Sequence, residues 1–315
     1  MSFHTCVIVN PASGGGATGR RWPEIRATLD RQLERWDSEF TLGPQDATRI
    51  AREAVAAGYE MIVGVGGDGT MGEIVTGLFE TDSEGVTERL KRPDMVLGVV
   101  RYGTGGDFAR FLGLPSRLDR AADHLSGRAT RPADVGLVRH LNDRGEEVRS
   151  GFLNIASFGL SGVVDDKVNH TTKLLGGRVS FLVGLTRALV AFRPQAVRVS
   201  VNTQLFYEGP LVTGAIANGQ YFGGGMKIAR DAKIDDGLFD VVLQLRSGVK
   251  EVVSIRDVYT GSMADWASVM TTQGTVVEAS PVDPEARVLL DIDGEQSGML
   301  PARFTIIPQG VRLKV

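Results

Sequence analysis

The chain has one cysteine among its 315 residues, Cys6, set in the apolar run Cys6-Val7-Ile8-Val9 and without a partner for a disulfide. A disulfide-held fold is excluded, and a reducing, cytoplasmic setting is expected. An excess of positive charge is missing as well. Lys and Arg number 35 against 38 Asp and Glu, the net charge is -3, and no basic run offers the stripe that tracks a phosphate backbone. No nucleic acid is therefore expected as a partner. Long apolar stretches are missing too. The most apolar segment, Phe181 to Phe192, contains Arg187 and falls well short of the roughly 20 residues that cross a bilayer. The chain runs from Met1 directly into a strand pattern, without a basic and apolar leader, so export is not expected. Any membrane contact is expected to be peripheral. Histidines are few: His4, His124, His140 and His170 are too scattered for a zinc site or a nucleophilic triad and read as surface or edge residues.

What remains is an ordinary globular composition, 42% hydrophobic and 23% charged, over a length suited to two cores. Glycine is plentiful at 40 residues, and it clusters at 14–16, at 66–67 with 69, at 103 with 105–106, and at 223–225. Clustered glycines bring backbone close to a ligand.

The first 110 residues alternate strand and helix patterns, which predicts a mostly parallel sheet with crossover helices. His4 to Asn10 reads as a strand, and Trp22, Ile25, Leu29, Leu33 and Trp36 recur at helical spacing before a short strand at Glu39 to Leu42. A helix bearing Ile50, Ala54 and Ala57 is ended by Gly58; strands follow at Tyr59 to Val65 and Met95 to Val100, with a helix at Met71 to Leu78 between them. After Asp134 the pattern turns to short β-runs at Val197 to Val201, Leu211 to Ala217, Phe239 to Leu245, Gly274 to Ala279 and Val288 to Ile292. These predict a mainly antiparallel sandwich, interrupted by helical stretches near Leu174 to Phe192 and Val249 to Tyr259. The expected division is 1–133 and 134–302, and the pattern leaves open whether a final strand over 303–315 returns to the first domain. Leu174 to Phe192, with Lys173, Arg178, Arg187 and Arg193, reads either as a core helix with a solvated face or as a membrane-touching one.

Three loops carry chemistry. Gly66-Gly67-Asp68-Gly69-Thr70 joins a buried strand to a helix, so its amides can approach phosphate oxygens. Asp68 would repel phosphate unless it faces Mg²⁺ or takes a proton from an attacking hydroxyl; the plain alternative is a helix cap. Asn10-Pro11-Ala12-Ser13-Gly14-Gly15-Gly16 leaves the first strand in the same way, and in Gly103-Thr104-Gly105-Gly106-Asp107 the Asp107 carboxylate suits a helix cap or a metal.

Together with Gly223-Gly224-Gly225-Met226, Asp235-Asp236-Gly237-Leu238-Phe239-Asp240 and Asp293-Gly294-Glu295, these loops resemble the diacylglycerol kinase catalytic family, which includes bacterial lipid kinases and sphingosine kinases. The resemblance runs over nearly the full length. It implies an α/β N-terminal domain of the kind shared with NAD kinases, which binds nucleotide, and a C-terminal antiparallel β-sandwich domain for the lipid substrate. It further implies ATP as co-substrate, Mg²⁺, and a lipid acceptor met at a peripheral membrane surface, and it admits a homodimer. By resemblance Asn10, Ser13, Gly66, Gly67, Gly69, Thr70, Gly103 and Thr104 lie in the nucleotide loops, with Glu295 nearby. Asp68, Asp107, Asp134 and Asp293 would form an acidic network linked to Mg²⁺, in which Asp68 and Asp293 are both candidates for the base; Asp293 is favoured, with Asp68 organising metal, because Asp68 lies in the phosphate loop and is better placed to face Mg²⁺. A second, structural Mg²⁺ would map to Asp236 and the carbonyls of Lys233 and Leu238, unless that segment is simply a solvated turn.

Four positions depart from the family pattern: Gly72 and Gly106 stand where it has Asn, and Arg101 and Arg230 where it has Pro. Both lost amides belong beside the phosphate loops, and the two arginines either compensate for them or are plain loop charges. A pseudo-kinase that holds lipid or nucleotide without turnover remains open for that reason. NAD kinase, which shares the Gly-Gly-Asp-Gly loop, is a further alternative that the later motifs disfavour.

Overall fold

The computed structural model describes residues 2–82, 85–101, 106–115, 117–160, 192–246 and 255–315. In the first half the strands are β1 (Thr5–Val9), β2 (Trp36–Phe40), β3 (Met61–Gly66), the hairpin β4 (Phe79–Asp82) and β5 (Gly85–Leu90), and β6 (Val96–Arg101). Helices α1 (Ser13–Arg20, with non-helical backbone at Gly14, Gly15 and Gly16), α2 (Trp22–Leu29), α3 (Asp46–Ala56) and α4 (Asp68–Leu78) connect them, and α5 (Asp107–Phe111) follows β6. The second half comprises β7 (Thr130–Leu141), β8 (Glu147–Phe152), β9 (Ile155–Gly159), β10 (Gln195–Val201), β11 (Gln204–Leu211) and β12 (Thr213–Ala217). It continues through β13 (Tyr221–Phe222), β14 (Met226–Lys227), β15 (Phe239–Gln244), α6 (Ile255–Thr260), β16 (Val269–Gly274), β17 (Val276–Pro281), β18 (Leu289–Ile292) and β19 (Glu295–Lys314).

Strands β2, β1, β3 and β6 are parallel neighbours in that order. Side chains alternate across them, as the pleat requires. Val7 and Val9 enter a core with Ile25 and Leu29 of α2, while Cys6 and Ile8 enter another with Ile50 of α3 and Ile74 of α4. Helices thus cover both faces, which is why these strands read as unbroken apolar runs. On α3, Ala47, Ile50, Ala51 and Ala54 are the buried stripe, and Gly58, with φ 82°, turns the chain away behind it.

The second half continues the sheet through β19, β18, β9, β12, β15 and β16, and β7, β8, β10, β11 and β17 form the branch that closes the sandwich. Phe152, Phe158, Phe239 and Phe304 fill its interior. β19 is the strand shared by both halves. It runs antiparallel to β18, β17 and β7, and its end pairs in parallel with β6, Arg312 opposite Val96 and Leu313 opposite Leu97. The result is an α/β layer with a parallel sheet joined to a mainly antiparallel β-sandwich.

Three expectations are corrected. The helical spacing through Trp36 breaks after Leu29: Leu33 lies in a turn and Trp36 opens β2, displacing the predicted strand at Glu39 to Leu42. All the spaced residues still reach one core, because pairing of Trp36 with Thr5 overrides the helical pattern while keeping its apolar face. His140 is buried in β7, its Nε2 paired with Ser150 Oγ at 3.2 Å, and His124 is half-buried; neither is a surface group. His170, the Leu174 to Phe192 stretch up to residue 191, and residues 247–254 lie outside the described residues. Among the described residues no helix is long and apolar enough to cross a membrane.

Candidate active site

Two glycine loops leave the carboxyl ends of β1 and β3 side by side. Gly14, Gly15 and Gly16 hold φ of 60°, 65° and 81°, a run of left-handed backbone that favours glycine, and the Gly16 amide donates back to Ala12 O at 2.9 Å. Asn10 Nδ2 donates to Thr70 Oγ1 at 3.1 Å and ties this loop to Gly66–Thr70. The Ser13 hydroxyl is used within its own loop, donating to Asn10 O at 2.9 Å. Glycine at 66 and 69 follows from crowding. A Cβ on Gly66 would stand 2.5 Å from Thr70 Oγ1, and one on Gly69 would stand 2.5 Å from Glu295 Cγ. Gly67 faces open space. Gly103 and Thr104 lie outside the described residues.

Three carboxylates from both halves gather beside these loops. Asp68, half-buried at the start of α4, caps the neighbouring helix rather than its own: Oδ2 accepts from Asp107 N at 2.9 Å and Oδ1 from Phe108 N at 3.3 Å. Asp107 does not cap α5 with its side chain. Its Oδ1 accepts from Arg110, and its Oδ2 from Gly224 N at 2.7 Å, which fastens α5 to the second half. Asp293, buried in the turn between β18 and β19, receives Asn154 N and Ile155 N on Oδ1 and Leu153 N on Oδ2, each at 3.0 Å. Burial pushes Asp68 up to about 7, helped by the charges of Asp293 and Asp107 and opposed by the two amides it accepts. Burial also pushes Asp293 up to about 7, against the pull of its three amides. Both groups thus titrate near neutrality. A cation among them would relieve the repulsion.

Asp134 belongs to a second cluster. Fully buried in β7, it accepts from Gln309 N and Gly237 N, each at 2.7 Å, so it joins β19 to the turn that carries Asp235 and Asp236. Burial raises its pKa, the two amides oppose this, and the charges of Asp236 and Asp235 raise it further. Asp236 is exposed, and its Oδ1 accepts from Leu238 N at 3.1 Å; Lys233 is exposed on the same turn. Among the described residues no three His, Cys, Asp or Glu side chains converge as a ready-made metal cluster.

The departures from the family pattern have structural counterparts. A Cβ on Gly72 would stand 3.2 Å from Asp293 Oδ2, so the missing side chain makes room for that carboxylate. The Arg101 side chain lies over Gly106. Arg230 forms a two-pronged pair with Asp265 at 2.7 and 2.8 Å, an exposed pair that adds little stability. Sequence reading passed over Asn154 and Asn218. Asn154 supplies one of the amides that hold Asp293, and its Nδ2 donates to Tyr221 O at 2.8 Å. Asn218 Nδ2 donates to Leu153 O at 2.8 Å and Asp134 O at 3.0 Å, linking the two carboxylate clusters. The Asn218-Gly219 pair is a turn signal, but nothing local marks Asn154.

Comparison with known proteins places this arrangement in a family. Residues 4–138 match the model described as the diacylglycerol kinase catalytic domain, and residues 154–315 match the YegS C-terminal NAD kinase beta sandwich-like domain. The diacylglycerol kinase of Bacillus subtilis (strain 168) is 29% identical over 301 residues, covering 95% of this chain and 91% of that one. A Chromohalobacter salexigens protein named as a probable lipid kinase, YegS-like, is 32% identical over 286 residues, covering 87% and 82%. A diacylglycerol kinase crystal structure from Bacillus anthracis str. Sterne superposes with a TM-score of 0.69 at 22% identity, covering 100% and 97%. The fold extends to yeast NADH kinase, with a TM-score of 0.52 at 10% identity over 99% and 83%. With both halves matched in order and the loops, the carboxylates and the shared strand β19 in place, the chain belongs to the diacylglycerol kinase catalytic family.

Proposed function

We propose that the chain is a lipid kinase that transfers the terminal phosphoryl group of ATP to the primary hydroxyl of diacylglycerol or a related lipid. The observation that carries this reading is the meeting of Asp68, Asp107 and Asp293, drawn from both halves, beside two loops of phosphate-binding type. The amides of Gly14 and Gly15 and of the Gly66–Thr70 loop bind the phosphates, with the Asn10–Thr70 pair holding the two loops together. A carboxylate offers about four lone-pair positions, and here their use differs. Asp293 receives three amides and keeps one position on Oδ2, which suits it to take a single proton. Asp68 receives two amides and keeps a position on each oxygen, which suits it to hold metal. As the lipid oxygen bonds to the terminal phosphorus, its proton passes to Asp293 Oδ2 and the bond from that phosphorus to ADP breaks. A titration near 7 matches such a base to neutral pH.

The residues fit Mg²⁺ at two places. Asp68 would hold the one that, when bound, neutralises charge on the phosphates. Asp236, with the carbonyls of Lys233 and Leu238, would hold a structural one. Its exposure leaves room for water ligands, and its charge already raises the pKa of Asp134 and Asp240. The acceptor lies in an aggregate, so the protein works at the cytoplasmic membrane surface without spanning it. The test is Mg²⁺-dependent transfer of labelled phosphate from ATP to lipid in mixed micelles, across diacylglycerol, phosphatidylglycerol and a sphingoid base. Phosphorylated lipid is the expected product. ATP binding without transfer to any lipid would leave a binding protein in place of a kinase.

A further inference from the structure

The three amides that hold Asp293 sit at the junction of β8 and β9, where Leu153 and Asn154 join Phe152 to Ile155. A peptide unit is planar and trans, so its C=O and N–H point in opposite directions, and a partner that fixes the carbonyl also aims the amide. The Leu153 carbonyl shares its unit with Asn154 N, and the Asn154 carbonyl shares its unit with Ile155 N. Both carbonyls are held by the turn that follows β12. Asn218 Nδ2 donates to Leu153 O at 2.8 Å, and Asn218 N and Gly219 N donate to Asn154 O at 2.9 and 2.8 Å. Each of the two amides on Asp293 Oδ1 is thus aimed from behind by residue 218 or its neighbour.

The Asn218 side chain is fully buried, and its other amide hydrogen goes to Asp134 O in β7 at 3.0 Å, so its aim is braced against the sandwich. Two carbonyls facing one side chain call for an amide with two donors. Among uncharged side chains only Asn and Gln offer that, and Gln is a methylene longer. Asn218 Oδ1 is buried without a partner among the described residues, so the side chain is oriented by what it donates. Gly219 belongs to the same packing, since a Cβ there would stand 2.2 Å from Asn154 Oδ1. With two aimed amides filling Oδ1 and only Leu153 N on Oδ2, it is Oδ2 that keeps room for a proton. We infer that Asn218 is a positioning residue for Asp293, which fixes the Leu153–Asn154 peptide and so presents Oδ2 to the acceptor hydroxyl. This rests on the reading of the chain as a lipid kinase with Asp293 as base, and adds to it the group that keeps the base aimed.

The test compares wild type, Asn218→Ala, Asn218→Ser and Asp293→Asn, with each Asn218 substitution also made in the Asp293→Asn background. Steady-state kinetics follow transfer of labelled phosphate from ATP to whichever of diacylglycerol, phosphatidylglycerol and a sphingoid base wild type phosphorylates best, and calorimetry measures ATP binding. Misplacing a reacting group by about 1 Å costs about 100-fold, so Asn218→Ala should lower kcat about 10- to 100-fold while ATP affinity stays within about threefold. In the Asp293→Asn background the same substitution should lower the residual rate by no more than about threefold, because residue 218 acts through the carboxylate already removed. A purely structural role would lower the rate by the same factor in both backgrounds and weaken ATP binding with it; either result would overturn the inference. So would a near wild-type kcat in Asp293→Asn. Unchanged kcat in Asn218→Ala, with wild type turning over lipid, would overturn this inference and leave the kinase reading standing. If Asn218→Ala fails to fold, Asn218→Ser, which leaves a smaller cavity, carries the same comparisons. Failure of both to fold would make Asn218 a residue of the fold and overturn the inference. Transfer by wild type to no lipid would overturn both this inference and the kinase reading.

Discussion

Replacing Asp134 with alanine separates a structural role from membership of the catalytic network. The side chain is fully buried, and each of its oxygens accepts a backbone amide at 2.7 Å, from Gln309 in β19 and Gly237 in the acidic turn. Alanine leaves both amides without an acceptor, at about 1–3 kcal/mol each. Removing a buried carboxylate whose pKa is raised by desolvation and by Asp236 and Asp235 offsets part of this. A net loss of about 2–4 kcal/mol follows from these terms. For a chain of 315 residues, an unfolding entropy of about 2.1 cal/mol/K per residue converts that loss to a fall in Tm of roughly 3–6 °C. Calorimetry on the Mg²⁺-free protein measures it. Because Gly237 follows Asp236, the same variant should also lose part of any Mg²⁺-dependent gain in Tm. A variant that melts within about 1 °C of wild type, yet needs much more Mg²⁺ for turnover, would refute this reasoning and assign Asp134 to the catalytic metal instead.

Asp293→Asn should lower kcat by about two to four orders of magnitude with little change in the ATP requirement, whereas Asp68→Asn should raise the Mg²⁺ requirement. If steady-state kinetics show the reverse, the two roles are exchanged. Gly72→Asn should press on Asp293 Oδ2, 3.2 Å from the new Cβ, and lower kcat at least tenfold while ATP binding by calorimetry stays within about threefold. Asp236→Ala should abolish a Mg²⁺-dependent rise in Tm; a wild-type Tm that ignores Mg²⁺ would remove the structural metal from the account. His124 is held down to about 4 by burial and by the Lys314 charge, against an ordinary 6.5. The unfolded chain therefore takes up this proton first as pH falls, and the stability due to neutral His124 should drain away from about 6.5 to about 4. His124→Gln should flatten that part of the Tm profile, and parallel profiles for the two proteins would exclude the effect.

Much of this protein was legible in local pattern. Buried parallel strands announce themselves as apolar runs such as Thr5–Val9 and Met61–Gly66, and the glycine loops follow them because close backbone approach requires glycine wherever it occurs. The carboxylates were legible as chemically odd members of those loops, and the family resemblance named their companions. Tertiary structure decided what depends on partners remote along the chain. The amides that hold Asp293 come from Leu153 to Ile155, about 140 residues away, and the acceptor at Asp68 is filled by amides of α5. Trp36 became strand because Thr5 was there to pair with it, and β19 returned to β6 because its end aligned with Val96 and Leu97. His140 was buried by the sandwich that closed around β7. In each case a side chain or backbone group takes the lowest-energy partner that the whole fold brings near, and sequence periodicity, which reports only neighbours within a few turns or pleats, carries no trace of that partner.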